Sequence, residues 1–231
     1  MALKFSDYDQ RNYPVTDARQ GYAKWAASYD KQLTGDLDIR LLERVTTVSW
    51  KACAVAADLA CGTGRIGVWL RSQGVGAVDG IDLTPEMIGQ AEQKESYRFL
   101  SLADVRETNL QAAAYDLVIN VLCNEHLTEM GPLYAEAARL TRQGGAFVIV
   151  GYHPHFMLNG IPTHFRDENG ANQAIESTIH LFSDHVVAGR TAGLTLTEMH
   201  ERIVDEEWVG RMPNWSKHAG RPVSFAMIWR G

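Results

Sequence analysis

The chain has 231 residues, 45% of them hydrophobic and 22% charged, the balance of a globular protein and not of a disordered chain, a collagen or a small disulfide scaffold. At ~150 residues per domain the length suits one α/β domain with modest additions, and a chain this long needs no metal or disulfide staple to fold. Twenty-two basic against 28 acidic residues leave a net charge of −6, which supplies no field for a nucleic-acid backbone or an anionic membrane, so neither partner is expected.

The opening Met1-Ala2-Leu3-Lys4-Phe5 has no apolar h-region, and no apolar run reaches the ~20 residues of a membrane span. A cytoplasmic location is therefore expected. Residues 1–50 read as helical and aromatic, with Tyr22, Trp25 and Tyr29. From Cys53 onward strand-like and helix-like segments alternate. Cys53–Leu59 is an apolar strand, and Arg65–Ser72 a helix stopped by Gly74. Ala77–Leu83 is a second strand. Thr84-Pro85-Glu86 is an N-cap, a first-turn proline and an acidic residue, and opens a helix to about Lys94. Strands follow at Tyr97–Leu102 and Tyr115–Leu122, a helix at Pro132–Thr141, and a fifth strand at Ala146–Tyr152. Ser183-Asp184 caps another helix, Leu194–Met199 is a sixth strand, and Val223–Trp229 a last one with no long helix before it.

Strands apolar on both faces and separated by helices predict a doubly wound parallel sheet. The expected fold is Rossmann-like α/β: seven strands, mostly parallel, the last antiparallel. Residues 1–50 are expected to form a helical lid and 51–231 the core, with 153–182 as a lid insertion after the fifth strand. Cys53, Cys61 and Cys123 are odd in number and lack CxxC spacing, which suits a reducing compartment and predicts no metal site.

Asp58-Leu59-Ala60-Cys61-Gly62-Thr63-Gly64-Arg65-Ile66-Gly67 is the most informative segment. Gly62, Gly64 and Gly67 satisfy G-x-G-x-x-G, and Asp82 follows at the end of the second strand, as in a dinucleotide site. The pattern therefore also suits an NAD-dependent oxidoreductase. Asp58 weighs against it, because a carboxylate at this strand end would repel a pyrophosphate and favour a cationic ligand. Asp82 can accept two hydrogen bonds from a ribose diol in either case.

Asp58–Gly64 resembles the glycine-rich motif of class I S-adenosylmethionine-dependent methyltransferases, small-molecule branch. The resemblance continues in register through Gly80-Ile81-Asp82-Leu83-Thr84-Pro85-Glu86-Met87, Ala103-Asp104-Val105, Tyr115–Asn120 and Arg142-Gln143-Gly144-Gly145. It implies S-adenosylmethionine as cofactor, with S-adenosylhomocysteine as product. The implied cofactor site is Asp58, Ala60, Gly62, Thr63, Gly64, Asp82, Leu83, Met87, Asp104 and Val105, with Asn120 and Val121 beside the methionine part. Tyr22, Trp25 and Tyr29 are similar to the family's aromatic entry segment, and equally suit core packing of an amphipathic helix.

The implied reaction is methyl transfer to an oxygen or nitrogen of a small molecule, chiefly by proximity and in-line alignment. Where a proton must leave the acceptor, His153, with His126, His164 or His180, is the expected base. The spacing of His153-Pro154-His155 does not establish a metal site, and His185, His200 and His218 look peripheral. A thiol-ligated acceptor at Cys61 and Cys123 is disfavoured, since Cys61 fills a position that needs a small residue. The same residues would also suit a binding protein that keeps the fold, or a methyltransferase acting on RNA or protein. A monomer or homodimer is expected.

Overall fold

The computed structural model describes residues 3–32 and 37–231. Residues 1–2 and 33–36 of the expected N-terminal lid lie outside these. Seven strands, numbered in chain order, form the central sheet: β1 (Val55–Leu59), β2 (Ala77–Asp82), β3 (Phe99–Leu102), β4 (Tyr115–Val121), β5 (Thr141–Tyr152), β6 (Thr195–Ile203) and β7 (Pro222–Arg230). Their spatial order is β6-β7-β5-β4-β1-β2-β3. β1 to β5 pair parallel. β7 runs antiparallel to both β5 and β6, as the missing long crossover before it predicts.

Side-chain alternation divides each central strand between two cores. On one face Ala57, Leu59, Val118, Phe147 and Met227 meet Leu133, Tyr134 and Ala137 of the helix Gly131–Leu140 and Ala188 of Phe182–Thr191. On the other, Ala56, Val78, Leu117, Ile119 and Val148 meet Ile66, Trp69 and Leu70 of Arg65–Ser72, with Leu41 and Leu42. Burial of strand residues on both faces explains why these segments read as continuous apolar runs.

Residues outside the sheet make a second layer over its C-terminal edge. The segment 153–182 is not a plain loop: it holds a helix, Pro154–Leu158, and short strands at His164–Arg166, Asn172–Ile175 and Thr178–Ile179. Leu3–Lys4 pairs antiparallel with Thr178–Ile179, and Val15–Thr16 pairs parallel with Ala174–Ile175. The two segments expected to be separate lids thus share β structure. The tail between β6 and β7 adds a helix, Glu206–Arg211, and a 3-10 turn at Pro213–His218. No helix of the described residues is long and apolar enough to cross a membrane.

Candidate active site

Two cavities open at the C-terminal ends of the parallel strands, the edge where open α/β sheets bind ligands. The smaller, about 210 Å³, is floored by Ala60, Gly62, Asp82, Leu83, Val121 and Leu122. Gly62 sits at φ +54, and a Cβ there would meet nothing within 4 Å; the loop backbone itself faces the cavity. Ala60 and Leu122 also hold positive φ, at 60° and 53°. Such strain in non-glycine residues concentrates at ligand sites.

Asp82 ends β2, nearly buried. Its carboxylate accepts the Gly62 and Thr84 backbone N–H groups, each at 2.8 Å. Burial still raises its pKa above the ordinary aspartate value. The carboxylate therefore fixes the glycine loop and keeps lone pairs for a ligand. Leu83, Met87 and Val105 give the cavity an apolar slot, beside Asp104 and Arg106. The Arg106 guanidinium donates twice to the Asp104 carboxylate, at 2.6 and 2.9 Å, and holds its pKa low.

Tyr22 and Tyr29 close the smaller cavity from the N-terminal segment, together with Ala18, Arg19 and His126. Trp25, grouped with them in the sequence, stacks on Tyr22 at 5.8 Å but faces the other cavity. Besides Asp58, taken up below, three predicted contacts lie outside the lining. Thr63 is buried, and its hydroxyl donates to Asp30 at 2.5 Å, tying the entry segment to the glycine loop. Gly64 caps the helix that follows and packs against Tyr97 and Ala91. Asn120 is fully buried and donates to the Leu59 carbonyl at 2.9 Å.

Asp58 requires a correction. Its carboxylate is buried and accepts the Tyr97 hydroxyl at 2.7 Å, and that hydroxyl in turn accepts the Gly67 N–H at 3.1 Å. It does not line either cavity. Burial, outweighing the tyrosine hydrogen bond, raises its pKa to about 7. Its carboxylate thus points to Tyr97, and burial weakens its ionisation, where the sequence expects a charge facing the ligand.

The larger cavity, about 770 Å³, adjoins the smaller at Leu122, which lines both. Aromatic rings form much of its wall. Trp25 stacks on Phe165 at 5.6 Å, and Tyr152, Phe156 and Trp215 continue in a stacked row at 5.9 and 6.0 Å. One wall comes from the tail, through Trp208, Met212, Asn214, Trp215, Lys217 and His218. Sequence reading missed this wall and placed His218 at the periphery. A six-residue helix and a 3-10 turn carry too little periodicity to announce themselves.

The four candidate histidines separate. His153 has both ring nitrogens committed: Nε2 donates to Glu201 at 2.7 Å and Nδ1 accepts the His155 N–H at 3.0 Å. Burial lowers its pKa despite the carboxylate. It lines neither cavity, and nor does His180, whose Nε2 donates to the Leu127 carbonyl at 2.8 Å. His164 lines the larger cavity, with Nδ1 donating to the Pro162 carbonyl at 2.8 Å. His126 lines the smaller one. Its Nδ1 faces the Glu176 carbonyl at 2.8 Å and its Nε2 the Tyr22 hydroxyl at 2.9 Å. A carbonyl only accepts, so Nδ1 carries the proton, and in the neutral ring Nε2 accepts from Tyr22.

Glu125 stands behind this pair. It is buried, its Oε1 lies 3.5 Å from His126 Nε2, and its Oε2 has no hydrogen-bond partner among the described residues. Sequence reading passed over it because a glutamate in a short turn carries no burial signal. Burial, with Glu125 nearby, raises the Cys123 thiol, and burial raises Cys61 further. Neither offers the thiolate that a thiol-ligated acceptor needs. No group of three or more metal-ligating side chains occurs among the described residues.

Residues 57–149 match the profile of a methyltransferase domain family. Malonyl-[acyl-carrier protein] O-methyltransferase of Serratia marcescens is 31% identical over 91 residues, 39% of this chain and 35% of that protein. The chain thus spans about a third of the length of this curated relative. An S-adenosylmethionine-dependent methyltransferase from Mesorhizobium loti has a TM-score of 0.68 at 18% identity, covering 85% of this chain and 98% of the other. The CcbJ methyltransferase from Streptomyces caelestis scores 0.64 at 17% identity, covering 91% and 98%. At these identities the structural likeness carries the fold. Residues 57–149 thus match a methyltransferase domain, and the chain shares the fold of S-adenosylmethionine-dependent methyltransferases. The smaller cavity fits that class's cofactor: an open glycine floor, a buried carboxylate with free lone pairs, and an apolar slot at Leu83, Met87 and Val105.

Proposed function

We propose that this chain transfers a methyl group from S-adenosylmethionine to an oxygen or nitrogen of a small molecule held in the larger cavity. The observation that carries the assignment is the junction of the two cavities at Leu122, beside Tyr22 and Trp25. A small-molecule acceptor and a cytoplasmic setting belong to the same proposal, supported by the size of the cavity and three free cysteines. The N-terminal segment and residues 153–182 act as its cover and keep water from the junction.

When bound, S-adenosylmethionine supplies a methyl already activated by its sulfonium. Asp82 would accept the ribose hydroxyls, Leu83, Met87 and Val105 would enclose the adenine, and Arg19 would be the cation available to the amino-acid carboxylate. What the protein adds is alignment across the junction, an effect worth ~7–11 kcal/mol for well-oriented pairs. Tyr22 and His126 move the acceptor's proton: the Tyr22 oxygen takes it as the Tyr22 hydroxyl proton passes to His126 Nε2. Burial holds the Tyr22 pKa high, so the residue stays a neutral hydroxyl between turnovers. Glu125 balances the imidazolium that forms.

Calorimetry with S-adenosylhomocysteine and with NAD tests the cofactor, and the first is expected to bind. NAD binding alone defeats the proposal. For the relay, Tyr22→Phe and His126→Gln are each expected to lower turnover by ~100-fold or more, with S-adenosylhomocysteine affinity held within a few-fold. Turnover unchanged in both variants removes the relay.

A further inference from the structure

Cationic side chains outnumber acidic ones in the lining of the larger cavity. Arg11, Arg166 and Lys217 line it, all three exposed and without an acidic partner among the described residues. The one acid in its lining, Asp38, is already taken by Arg65 and by the Ile39 N–H. This inventory sits in a chain of net charge −6, so the cationic mouth runs against the overall balance. The field is felt locally: Lys217, Arg221 and Arg11 add to burial in holding His218 below the usual histidine pKa.

Unpartnered cations around a cavity whose one acid is already paired select for an anion. Flat stacked rings along Trp25–Phe165 and Tyr152–Phe156–Trp215 select for a flat body. We propose that the methyl acceptor is an aromatic carboxylate. Its carboxylate meets Arg11, Arg166 and Lys217, its rings lie along the aromatic walls, and its hydroxyl or amine reaches the junction at Leu122. A carboxylate is favoured over a phosphate because it lies in the plane of the ring that bears it and so continues the flat body that the stacked walls select, as a tetrahedral phosphate does not. The proposal rests on the methyl-transfer assignment of the adjoining cavity.

The test titrates three probes into the full chain by calorimetry, with and without S-adenosylhomocysteine: 6-hydroxy-2-naphthoate, its methyl ester, and 6-(aminomethyl)-2-naphthol. The acid is expected to bind ~10–100-fold more tightly than the ester, the gain from one or two charge-assisted hydrogen bonds. The amine is expected to bind most weakly. In the double variant Arg166→Gln, Lys217→Gln the acid's advantage should shrink to a few-fold, with ester affinity and thermal midpoint kept, since both side chains are exposed. An ester or amine that binds as well as the acid overturns the proposal, as does no binding of any probe, or a 2-naphthyl phosphate that outbinds the naphthoate. Failure of S-adenosylhomocysteine to bind strikes the cofactor assignment instead, and the acid-over-ester comparison is still read without it.

Discussion

Asp58→Asn separates the two roles open to this carboxylate. In the folded chain its pKa is raised from 3.8 to about 7, chiefly by burial. A carboxyl whose folded pKa is raised binds its proton more tightly in the native state than in the unfolded chain. Stability is then highest below the unfolded value and falls as pH rises from about 4 to about 7. Three pH units at ~1.4 kcal/mol each amount to about 4 kcal/mol lost across that window. For a chain of this length that is roughly 8–16 °C in thermal midpoint. Asparagine keeps an oxygen for the Tyr97 hydroxyl and carries no ionisation, so the difference between parent and variant isolates this group. Thermal melts of both from about pH 4 to about pH 8 should show the variant gaining on the parent as pH rises. Calorimetry of the variant with S-adenosylhomocysteine should show affinity within about threefold, because Asp58 faces Tyr97 and not the cavity. A parallel pair of melting curves refutes the burial reasoning. A loss of affinity beyond ~10-fold refutes the placement and restores the ammonium contact that the sequence suggests.

Glu198 behaves oppositely. Its carboxylate accepts both the N–H and the hydroxyl of Thr46 and of Thr47, plus His200 at 2.7 Å. These bonds outweigh burial and depress its pKa from 4.5 to about 2. Its stabilisation is present above the unfolded pKa and is lost as pH falls from about 4.5 to about 2, some ~3 kcal/mol. Urea melts of Glu198→Gln should therefore show a deficit at neutral pH that closes on acidification, and a deficit independent of pH contradicts the assignment. Gly67→Ala tests the glycine loop from behind: a Cβ there overlaps the Tyr97 ring and hydroxyl. Overpacking of this kind costs ~1–3 kcal/mol, so the urea midpoint should fall, and an unchanged midpoint would show that Tyr97 has room to move.

The central sheet was legible because its signals are local. Apolar runs of strand length, the Thr84-Pro85 cap and the glycine punctuation at Gly74 and Gly193 mark elements without tertiary context, and the boundaries agree within a few residues. Ala60, Gly62 and Asp82, expected at a cofactor loop for the same reason, line the smaller cavity. Asp58, Thr63, Gly64 and Asn120 lie outside its lining, because a motif specifies neighbours along the chain and not the direction of a side chain. Tyr97, 39 residues from Asp58, decides where that carboxylate points. The histidines failed similarly: His153 sits at the right edge of the sheet, yet Glu201 on the edge strand β6 takes it. The larger cavity was the least legible part, since Arg11, Phe165 and Trp215 come to line it together only once distant segments of the chain have folded.

That cover is coupled to the glycine loop by more than contact. Asp30 receives the Thr63 hydroxyl and the Lys94 ammonium, each at 2.5 Å, so the entry segment carrying Tyr22 and Trp25 is anchored on the loop that floors the smaller cavity. Tyr22 and Trp25 then face different cavities from one short helix, Ala18–Trp25. Leu122, the residue common to both, is held at φ +53 by its N–H bond to the Val150 carbonyl at 2.8 Å. A leucine in that region is strained, and such strain persists only where the surroundings over-determine it. Here the surroundings are β4, β5 and the two cavities' own walls. Under the proposed reaction a cofactor in the smaller cavity and an acceptor in the larger would share this one rigid wall residue, which would serve the alignment that an in-line transfer requires.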